Sequence, residues 1–376
     1  MPFAFDIFCT VVDNFGDIGV TWRLARQLHD EGHGPVRLWV DDLTSFSRIC
    51  PAIDPARETQ CEQGITIQHW HADADREPAR VVIEAFACEL PAPYKARMQA
   101  MSPPPAWINL EYLSAEAWVE GCHALPSPQG RLNKYFFFPG FTERTGGLLC
   151  ERDLLAQRAA WQADQAGLAA YWASLGLAPP APGELRISLF AYESTAVPSL
   201  IDAWRQGPHQ VTLLVPVGRA LPQVLAALGV EAAQPGDRVQ DGALTVAVLP
   251  MTDQAGYDRL LWSCDLNIVR GEDSFVRAQW AARPFLWHIY PQEEDYHLVK
   301  LEAFLARYLA PLPAPQASWV QAMMLALNQG ESCKDLWQKW EQYREIWGEH
   351  AAQWPRDLIA GGDLVTRLVK FLETKI

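Results

Sequence analysis

Short apolar segments alternate with amphipathic helical segments along most of this chain, and this alternation is the sequence feature that most constrains its fold. Between the first two apolar segments, residues 18–31 carry Val20, Leu24 and Leu28 at four-residue spacing, which places them on one face of a helix. Strand–helix–strand alternation is typical of α/β domains with a parallel sheet. In the first part of the chain we predict strands at 4–12, 36–40, 65–70, 81–86, 107–110 and 135–138.

The alternation restarts after a proline-rich break at residues 178–183, which follows a long helix predicted at 153–175. Beyond the break we predict strands at 186–192, 210–217, 244–249, 266–270 and 285–289, and helices at 198–205, 220–228, 254–264, 274–282, 294–306, 316–328, 332–347 and 356–374. The length of 376 residues fits two domains of ordinary size. We therefore predict one domain over 1–155, a second over 156–357, and a C-terminal helix at about 358–376 that packs back on the first.

The composition excludes several classes of protein. Half of the chain is hydrophobic (49%) and 20% is charged, which rules out a disordered or fibrous chain. The net charge of −14 argues against nucleic acid as a direct partner and favours a basic one. There is no Cys-x-x-Cys pair, no basic leader and no apolar run long enough to span a bilayer. We therefore expect a cytoplasmic protein with reduced thiols and no membrane partner.

The first segment that can carry chemistry is the turn between the first predicted strand and the first helix. Asp13 and Asp17 flank this turn, and Gly16 and Gly19 allow close backbone approach to a ligand. Two carboxylates there are candidates for a general base and an orienting group. The alternative is that Asp17 caps the helix and Asp13 forms the turn, which are common tasks for Asp.

The second such segment lies between a strand and a helix in the second half. Arg270, Gly271 and the Ser274 hydroxyl at a helix N-terminus are suited to binding a diphosphate. Glu272 would repel a phosphate, so it needs another task, such as binding sugar hydroxyls or a cationic acceptor. The alternative is that Asp273 or Ser274 caps the helix while Arg270 pairs with a neighbouring acid.

Other polar and aromatic groups allow two interpretations. Phe190 and Tyr192 end the first strand of the second half and Tyr290 follows its last strand, so these rings could stack on a base or simply belong to the core. His69 and His71 stand close to Asp73 and Asp75 and resemble a metal cluster. No distant further ligand is indicated, so we expect a surface loop and no metal site.

Four segments, taken in order, resemble the bacterial elongation factor P arginine rhamnosyltransferase family, EarP. They are DNFGDIG at 13–19, WINLEYLSAE at 107–116, FPGFT at 138–142 and RGEDSF at 270–275, and the resemblance extends over essentially the whole chain. One departure is Met251, where the family pattern leads us to expect Phe.

This resemblance implies a GT-B glycosyltransferase fold, in which two Rossmann-like domains face a central cleft. It implies inverting, metal-independent transfer of rhamnose from dTDP-β-L-rhamnose to one arginine of translation elongation factor P, which activates the factor for rescue of polyproline-stalled ribosomes. The donor is a substrate, and no cofactor is implied. The acceptor protein would dock on the N-terminal domain and the nucleotide sugar on the C-terminal domain. The residues implied as catalytic are Asp13, Asp17 and Glu272, and those implied in substrate binding are Asn14, Phe15, Gly16, Phe190, Tyr192, Gln254, Tyr257, Arg270, Gly271, Asp273, Ser274 and Tyr290.

The chemistry of arginine adds a constraint. A guanidinium keeps its proton up to a pKa above about 12, so a carboxylate pair must hold the cation and accept the proton as the new bond forms. We expect Asp17 to be the base and Asp13 to orient the guanidinium. There are two competing interpretations. One is another GT-B glycosyltransferase with a lipid-linked or carbohydrate acceptor, and the other is a non-catalytic two-domain protein that binds a nucleotide or a sugar.

Overall fold

The chain divides into two units, each built around its own sheet. The computed structural model describes residues 2–12 and 15–376, and only the backbone of residue 293. One unit consists of the residues up to Arg152 together with Leu358–Ile376, and the other is Asp153–Asp357.

The first unit contains an eight-stranded sheet in the order β3-β4-β2-β1-β5-β6-β8-β7. Its strands are β1 (Phe5–Cys9), β2 (Val36–Val40), β3 (Thr59–Glu62), β4 (Ile65–His69), β5 (Val81–Ala85), β6 (Ala106–Leu110), β7 (Pro126–Gln129) and β8 (Leu132–Phe137). The central strands are parallel, while β3 and β7 pair antiparallel with β4 and β8 at the two edges. Four helices accompany them: α1 (Gly16–Asp30), α2 (Leu43–Ile49), α3 (Ala92–Ala100) and α4 (Val119–Cys122).

The second unit repeats this plan with six strands in the order β11-β12-β10-β9-β13-β14. They are β9 (Leu185–Leu189), β10 (Val211–Pro216), β11 (Arg238–Asp241), β12 (Leu244–Leu249), β13 (Leu266–Arg270) and β14 (Phe285–His288). Only β11 pairs antiparallel, at one edge of the described sheet. The helices are α5 (Leu154–Ala163), α6 (Gln165–Ser174), α7 (Ala196–Gln206), α8 (Ala220–Ala227), α9 (Gln254–Ser263), α10 (Asp273–Trp280), α11 (Tyr296–Tyr308), α12 (Ala314–Gln329), α13 (Lys334–Trp337) and α14 (Trp340–Ile359).

The last helix, α15 (Leu364–Glu373), completes the core of the first unit. Its apolar side chains Leu364, Val365, Leu368 and Leu372 are buried in the same cluster as residues of β1 and α1. The carboxylate of Asp363 caps it by accepting hydrogen bonds from the backbone N–H groups of the first turn. The backbone N–H of Leu364 also donates to the Leu148 carbonyl over 2.9 Å.

The strand order places the carboxyl ends of particular strands at the points where ligands bind in open parallel sheets. In the first sheet β1 lies between β2 and β5, and in the second β9 lies between β10 and β13, so the direction of winding reverses beside β1 and beside β9. Loops at such a reversal diverge and leave a crevice. The segments after β1 and β5, and after β9 and β13, are therefore the candidates for the site.

Some predicted elements were wrong. The single helix predicted at 153–175 is two helices, because Asp164 leaves helical geometry and its carboxylate caps α6 by accepting from the Gly167 N–H over 2.9 Å. The helices predicted at 332–347 and 356–374 are replaced by α13, by α14, which runs on to Ile359, and by α15. The predicted strands 4–12 and 186–192 end earlier, at Cys9 and Leu189.

The edge strands β3, β7 and β11 were not predicted, because they are four residues long, largely exposed and poor in apolar side chains. Within the described residues, none of the helices combines the length and the apolarity that crossing a bilayer requires.

Candidate active site

Asp17 lies in the first turn of α1, directly after the loop that follows β1. Its side chain is 2% exposed, Oδ2 accepts a hydrogen bond from the Val12 N–H over 2.9 Å, and Oδ1 accepts one from the Tyr112 hydroxyl over 3.2 Å. Phe15 occupies the N-cap position and makes no side-chain cap, so the interpretation of Asp17 as an N-cap is wrong. Asp13 and Asn14 lie outside the described residues, so their roles stay predictions.

Tyr112, which binds the Asp17 carboxylate, and Phe86, which contacts Tyr112, were not assigned to the site from the sequence. Tyr112 follows β6 and stacks on Phe86, which follows β5, with 4.5 Å between ring centroids. Phe86 has φ of +56°, a conformation that costs a non-glycine residue about 1–2 kcal/mol. Strain of this kind is concentrated at functional sites. Tyr112 belongs to the segment 107–116 that carries the family resemblance. Its place in that segment was the one sequence feature that could have indicated a role in the site.

A second carboxyl group stands beside Tyr112. Burial raises the pKa of Glu111, opposed by the charge of Lys134 and reinforced by that of Glu84. The Asn109 amide donates a hydrogen bond to the Glu111 carboxylate. The end of β6 therefore carries polar groups in addition to the Tyr112 hydroxyl that contacts Asp17.

The glycine-rich segment after β8 is a tight loop. The N–H of Gly146 donates to the Phe138 carbonyl over 2.7 Å, and a Cβ at Gly140 would approach Thr145 to 2.8 Å. Arg367 of α15 donates to the carbonyls of Thr142 and Thr145 over 2.5 and 2.9 Å. This segment therefore anchors α15, which is a structural task.

In the second unit the guanidinium of Arg270 lies between two aromatic rings. Arg270 ends β13, and its Cζ is 4.3 Å from the centroid of Phe190 and 4.9 Å from that of Tyr192. Both rings follow β9, which pairs with β13 in the sheet. Cation–π contacts of this length restrain the guanidinium. The position of its N–H groups is then set by the end of β13.

Further aromatic rings extend this arrangement on both sides. Tyr257 of α9 lies 5.5 Å from Phe190, and Tyr290, which is 48% exposed, lies 5.5 Å from Tyr192. His288 also contacts the Tyr192 ring at 5.5 Å. Burial lowers the pKa of His288 to about 4, with His297 and Arg270 adding to the effect, so this imidazole is neutral near pH 7.

The turn between β13 and α10 is held by hydrogen bonds rather than by a side-chain cap. The Ser274 hydroxyl accepts from the Arg270 N–H over 3.1 Å and donates to the Arg270 carbonyl. Gly271 has φ of +61°, and its carbonyl accepts from the Trp287 indole over 2.8 Å. Glu272 occupies the N-cap position without a side-chain cap, so the interpretation of Asp273 or Ser274 as the cap is wrong.

A buried ion pair holds α9 and α10 together behind this turn. Arg277 donates from Nε and Nη2 to the two carboxylate oxygens of Asp258, over 2.9 and 2.7 Å. Gln254, the first residue of α9, is buried, and Asp253 caps that helix by accepting from the Gly256 N–H over 2.7 Å. The starts of both helices are thereby fixed relative to the Arg270 turn.

The structure thus brings together most of the predicted donor-binding residues of the second unit. Direct contacts join the following residues: Phe190, Tyr192, Tyr257, Arg270, Ser274 and Tyr290. Glu272 and Asp273 lie at the start of α10 beside them, and both are half-buried. In the first unit, Phe15, Gly16 and Asp17 are consecutive at the start of α1.

Comparison with known proteins gives the family. Residues 5–373 match the family described as elongation factor P (EF-P) rhamnosyltransferase EarP. The chain is 51% identical to the protein-arginine rhamnosyltransferase of Pseudomonas aeruginosa, with 98% of each chain covered. It is 50% identical to the enzyme of the same name from Shewanella oneidensis, covering 98% of this chain and 97% of the relative.

Solved structures give the same result for the fold. A structure determined to explain EarP-mediated arginine glycosylation of translation elongation factor EF-P is 36% identical over the whole of both chains, with a TM-score of 0.72. MurG from Acinetobacter baumannii, a GT-B glycosyltransferase, has a TM-score of 0.51 at 14% identity over the whole of both chains, which is a likeness of fold alone. The predicted α/β fold of the GT-B class is confirmed, and the chain belongs to the EarP family of elongation factor P rhamnosyltransferases.

Proposed function

We propose that this protein transfers rhamnose from dTDP-β-L-rhamnose to one arginine side chain of elongation factor P, with inversion at the anomeric carbon and without a metal ion. The names of the relatives and the description of the family support the sugar and the acceptor. The observation that carries the proposal is the Arg270 guanidinium between Phe190 and Tyr192, at the point of the second sheet where ligands bind.

The second unit supplies what a nucleotide-diphosphate sugar needs. The charge of Arg270 and the N-terminus of α10 would stabilise the departing diphosphate, a task that a metal ion performs in other enzymes. Exposed Tyr290 and half-buried Phe190 offer faces for the thymine base. Glu272 would then accept hydrogen bonds from sugar hydroxyls or help to hold the acceptor cation.

The first unit supplies the base. In the proposed step the C1–O bond to dTDP breaks, a bond forms between C1 and a guanidine nitrogen, and the nitrogen's proton passes to the Asp17 carboxylate. Asp13 would hold the guanidinium by bidentate hydrogen bonds and aim the nitrogen at C1. The hydrogen bonds from Val12 and Tyr112 keep the Asp17 carboxylate fixed before substrate arrives.

The charge of the chain supports a basic protein acceptor. A net charge of −14 would speed encounter with a positively charged loop, because long-range attraction raises association rates at low ionic strength. With a translation factor as acceptor the reaction would take place in the cytoplasm. Its product would be the form of the factor that rescues polyproline-stalled ribosomes.

Intact-mass measurement tests the transfer. The protein is incubated with purified elongation factor P and dTDP-β-L-rhamnose, and the factor should gain the mass of one deoxyhexose residue, on arginine by fragment mapping. An acceptor with that arginine changed to lysine should gain nothing. If the protein binds dTDP but the factor keeps its mass, the proposal fails in favour of another glycosyltransferase or a nucleotide-sugar binder.

Three further measurements separate the finer points. The anomeric configuration of the product, read by NMR, should be α if transfer inverts. Turnover should survive a chelator if no metal takes part. Competition between dTDP and UDP for binding tests the base. Asp17→Asn should abolish turnover, and near-normal turnover of that variant, with Asp13→Asn inactive, would reverse the two roles.

A further inference from the structure

Two histidines and a glutamate converge at one end of the β3–β4 hairpin in the first unit. Glu58 directly precedes β3, His69 ends β4, and His71 lies two residues further on. The His69 N–H donates to the Glu58 carbonyl over 2.9 Å, so the backbones are joined at this point. No residue of the proposed transferase site belongs to this cluster.

The three side chains present potential ligand atoms to one another at short range. Nδ1 of His69 is 3.4 Å from Oε1 of Glu58, and Nε2 of His71 is 3.5 Å from Oε2. One ligand atom from each residue lies within 4.8 Å of the other two. In a tetrahedral zinc site with bonds of about 2.0–2.1 Å, neighbouring ligand atoms are about 3.3 Å apart. The three side chains therefore need little movement to share one ion.

The His69 ring is already oriented as metal-binding histidines are. Its Nε2 makes a hydrogen bond of 2.9 Å to the Asp41 carbonyl, which can only accept, so Nε2 carries the proton and donates. In the neutral ring Nδ1 is then the atom with a free lone pair, and it faces Glu58. A backbone carbonyl on the second ring nitrogen is the usual partner that fixes the tautomer of a metal ligand. The two imidazoles meet at 67°, so they are not simply stacked.

The sequence suggested a different set of neighbours for the histidines. Asp75 does not belong to the cluster, because its carboxylate pairs with the guanidinium of Arg97. The third group, Glu58, stands eleven residues before His69, and the antiparallel pairing of β3 with β4 brings it there. Since β3 was not predicted, Glu58 could not be recognised from the sequence.

We propose that Glu58, His69 and His71 bind a divalent transition-metal ion, and that Zn²⁺ fits them best. Two imidazoles and a carboxylate are a common protein ligand set for zinc, and the exposed side leaves room for water as the fourth ligand. The ion would clamp the segment after β4 to the start of β3. The ion would take no part in the proposed sugar transfer, whose chemistry needs no metal.

The consequence reaches the loop after β1 through Asp41. The Asp41 carbonyl accepts from His69, while its carboxylate accepts from the Val11 N–H over 2.9 Å. An ion bound to His69 would therefore make the hydrogen-bonded path from His69 through Asp41 to Val11 more rigid. The next residue, Val12, donates its backbone N–H to Asp17.

Metal binding to the full-length, untagged protein tests the proposal. Co²⁺ titration should give the visible absorption of a four-coordinate ion at one equivalent, and Zn²⁺ should displace it. His71→Ala, His69→Ala and Glu58→Gln should each weaken Zn²⁺ binding at least tenfold. The matched control is His209→Ala, since His209 makes a comparable ion pair with Glu341 at 3.3 Å with no second histidine in the pair.

Thermal unfolding provides a second readout that does not depend on activity. Zn²⁺ should raise the Tm of the native protein and of His209→Ala, and it should not raise that of Glu58→Gln, whose fold is checked by circular dichroism. The proposal is overturned if the native protein binds no Zn²⁺, or if all three ligand variants bind it as the native protein does. The His–Glu contacts would then be ion pairs only.

Discussion

The hydroxyl of Tyr112 donates a hydrogen bond to Oδ1 of Asp17, and it links a side chain that is 41% exposed to a carboxylate that is 2% exposed. The two residues are ninety-five positions apart in the chain, and they meet because β6 and β1 belong to one parallel sheet with β5 between them. The carboxylate that we propose as the base is thus held by a residue that is itself partly exposed to solvent.

Removing that hydroxyl tests whether Tyr112 positions the base. Tyr112→Phe keeps the stacking on Phe86 and removes one hydrogen bond to an ionised group, a bond of about 1.5–3 kcal/mol. We expect kcat to fall about tenfold or more, with the donor KM unchanged, because the donor would be bound by the other unit. Steady-state kinetics measure kcat and the donor KM separately. Tyr296→Phe, at an exposed tyrosine of the second unit, should change neither constant, and a loss confined to donor KM would contradict the positioning role.

Replacing Arg270 by lysine tests the stacked guanidinium. Lysine keeps the positive charge but loses the planar guanidinium, so the contacts of that group with Phe190 and Tyr192 disappear. We expect dTDP to bind about tenfold more weakly, measured by calorimetry. Arg259→Lys, whose guanidinium lies over Trp161 at 5.4 Å, is the matched control and should bind dTDP normally. If Arg270→Lys binds dTDP as tightly as the native protein does, the positive charge alone is sufficient for dTDP binding.

The carboxylate of Asp6 is central to the stability of the first unit. It is fully buried in β1 and accepts hydrogen bonds from Arg37, Trp39, Tyr94 and the Ala79 N–H. Asp6→Asn replaces an acceptor oxygen by a donor and leaves Arg37 without its counter-charge, so we expect about 3–5 kcal/mol of destabilisation. Urea unfolding measures it. Asp54→Asn, which removes an exposed ion pair with Arg57, should cost less than about 1 kcal/mol.

Acid should destabilise the second unit through His288. The pKa of this group is lowered from 6.5 to about 4 in the folded protein, first because of burial. Between these values the unfolded chain binds a proton that the folded chain does not, so stability is lost as the pH falls from 6.5 towards 4 and is unaffected above 6.5. The loss between about pH 7 and about pH 5 should be about 2 kcal/mol.

The contribution of His288 is isolated by comparing variants. His288→Gln should be less sensitive to acid over this range than the native protein. Urea unfolding at the two pH values supplies the free energies. Parallel pH dependences for the native protein and His288→Gln would show that folding does not lower the pKa of His288.

The interior of both sheets could be predicted from the sequence because hydrophobic burial sets its pattern. The strands at 36–40, 244–249 and 266–270 were predicted with the bounds that the structure has. These segments are mostly apolar, which is typical of strands covered on both faces. The edge strands carry no such signal. The break at Asp164 depends on a capping hydrogen bond of its side chain, whereas the residues on either side of it favour a continuous helix.

The geometry of the candidate site was predictable where one short segment of the sequence contains it. Arg270 and Ser274 lie in one short segment, and their geometry follows from a strand that ends and a helix that begins. Tyr112 and Phe86 have contacts with residues that are distant in the sequence and that the order of the strands brings near. Residue type gave no reason to single them out, because an aromatic ring after a strand is most often core.

The return of α15 to the first sheet affects how the chain can fold during synthesis. The core around β1 and α1 needs Leu364, Val365, Leu368 and Leu372, yet about two hundred residues of the other unit are translated first. At about 5–20 residues per second, that interval lasts about 10–40 s. The strands that leave the ribosome first are thus the last to have their core completed, and the apolar surface that α15 covers stays exposed throughout that time.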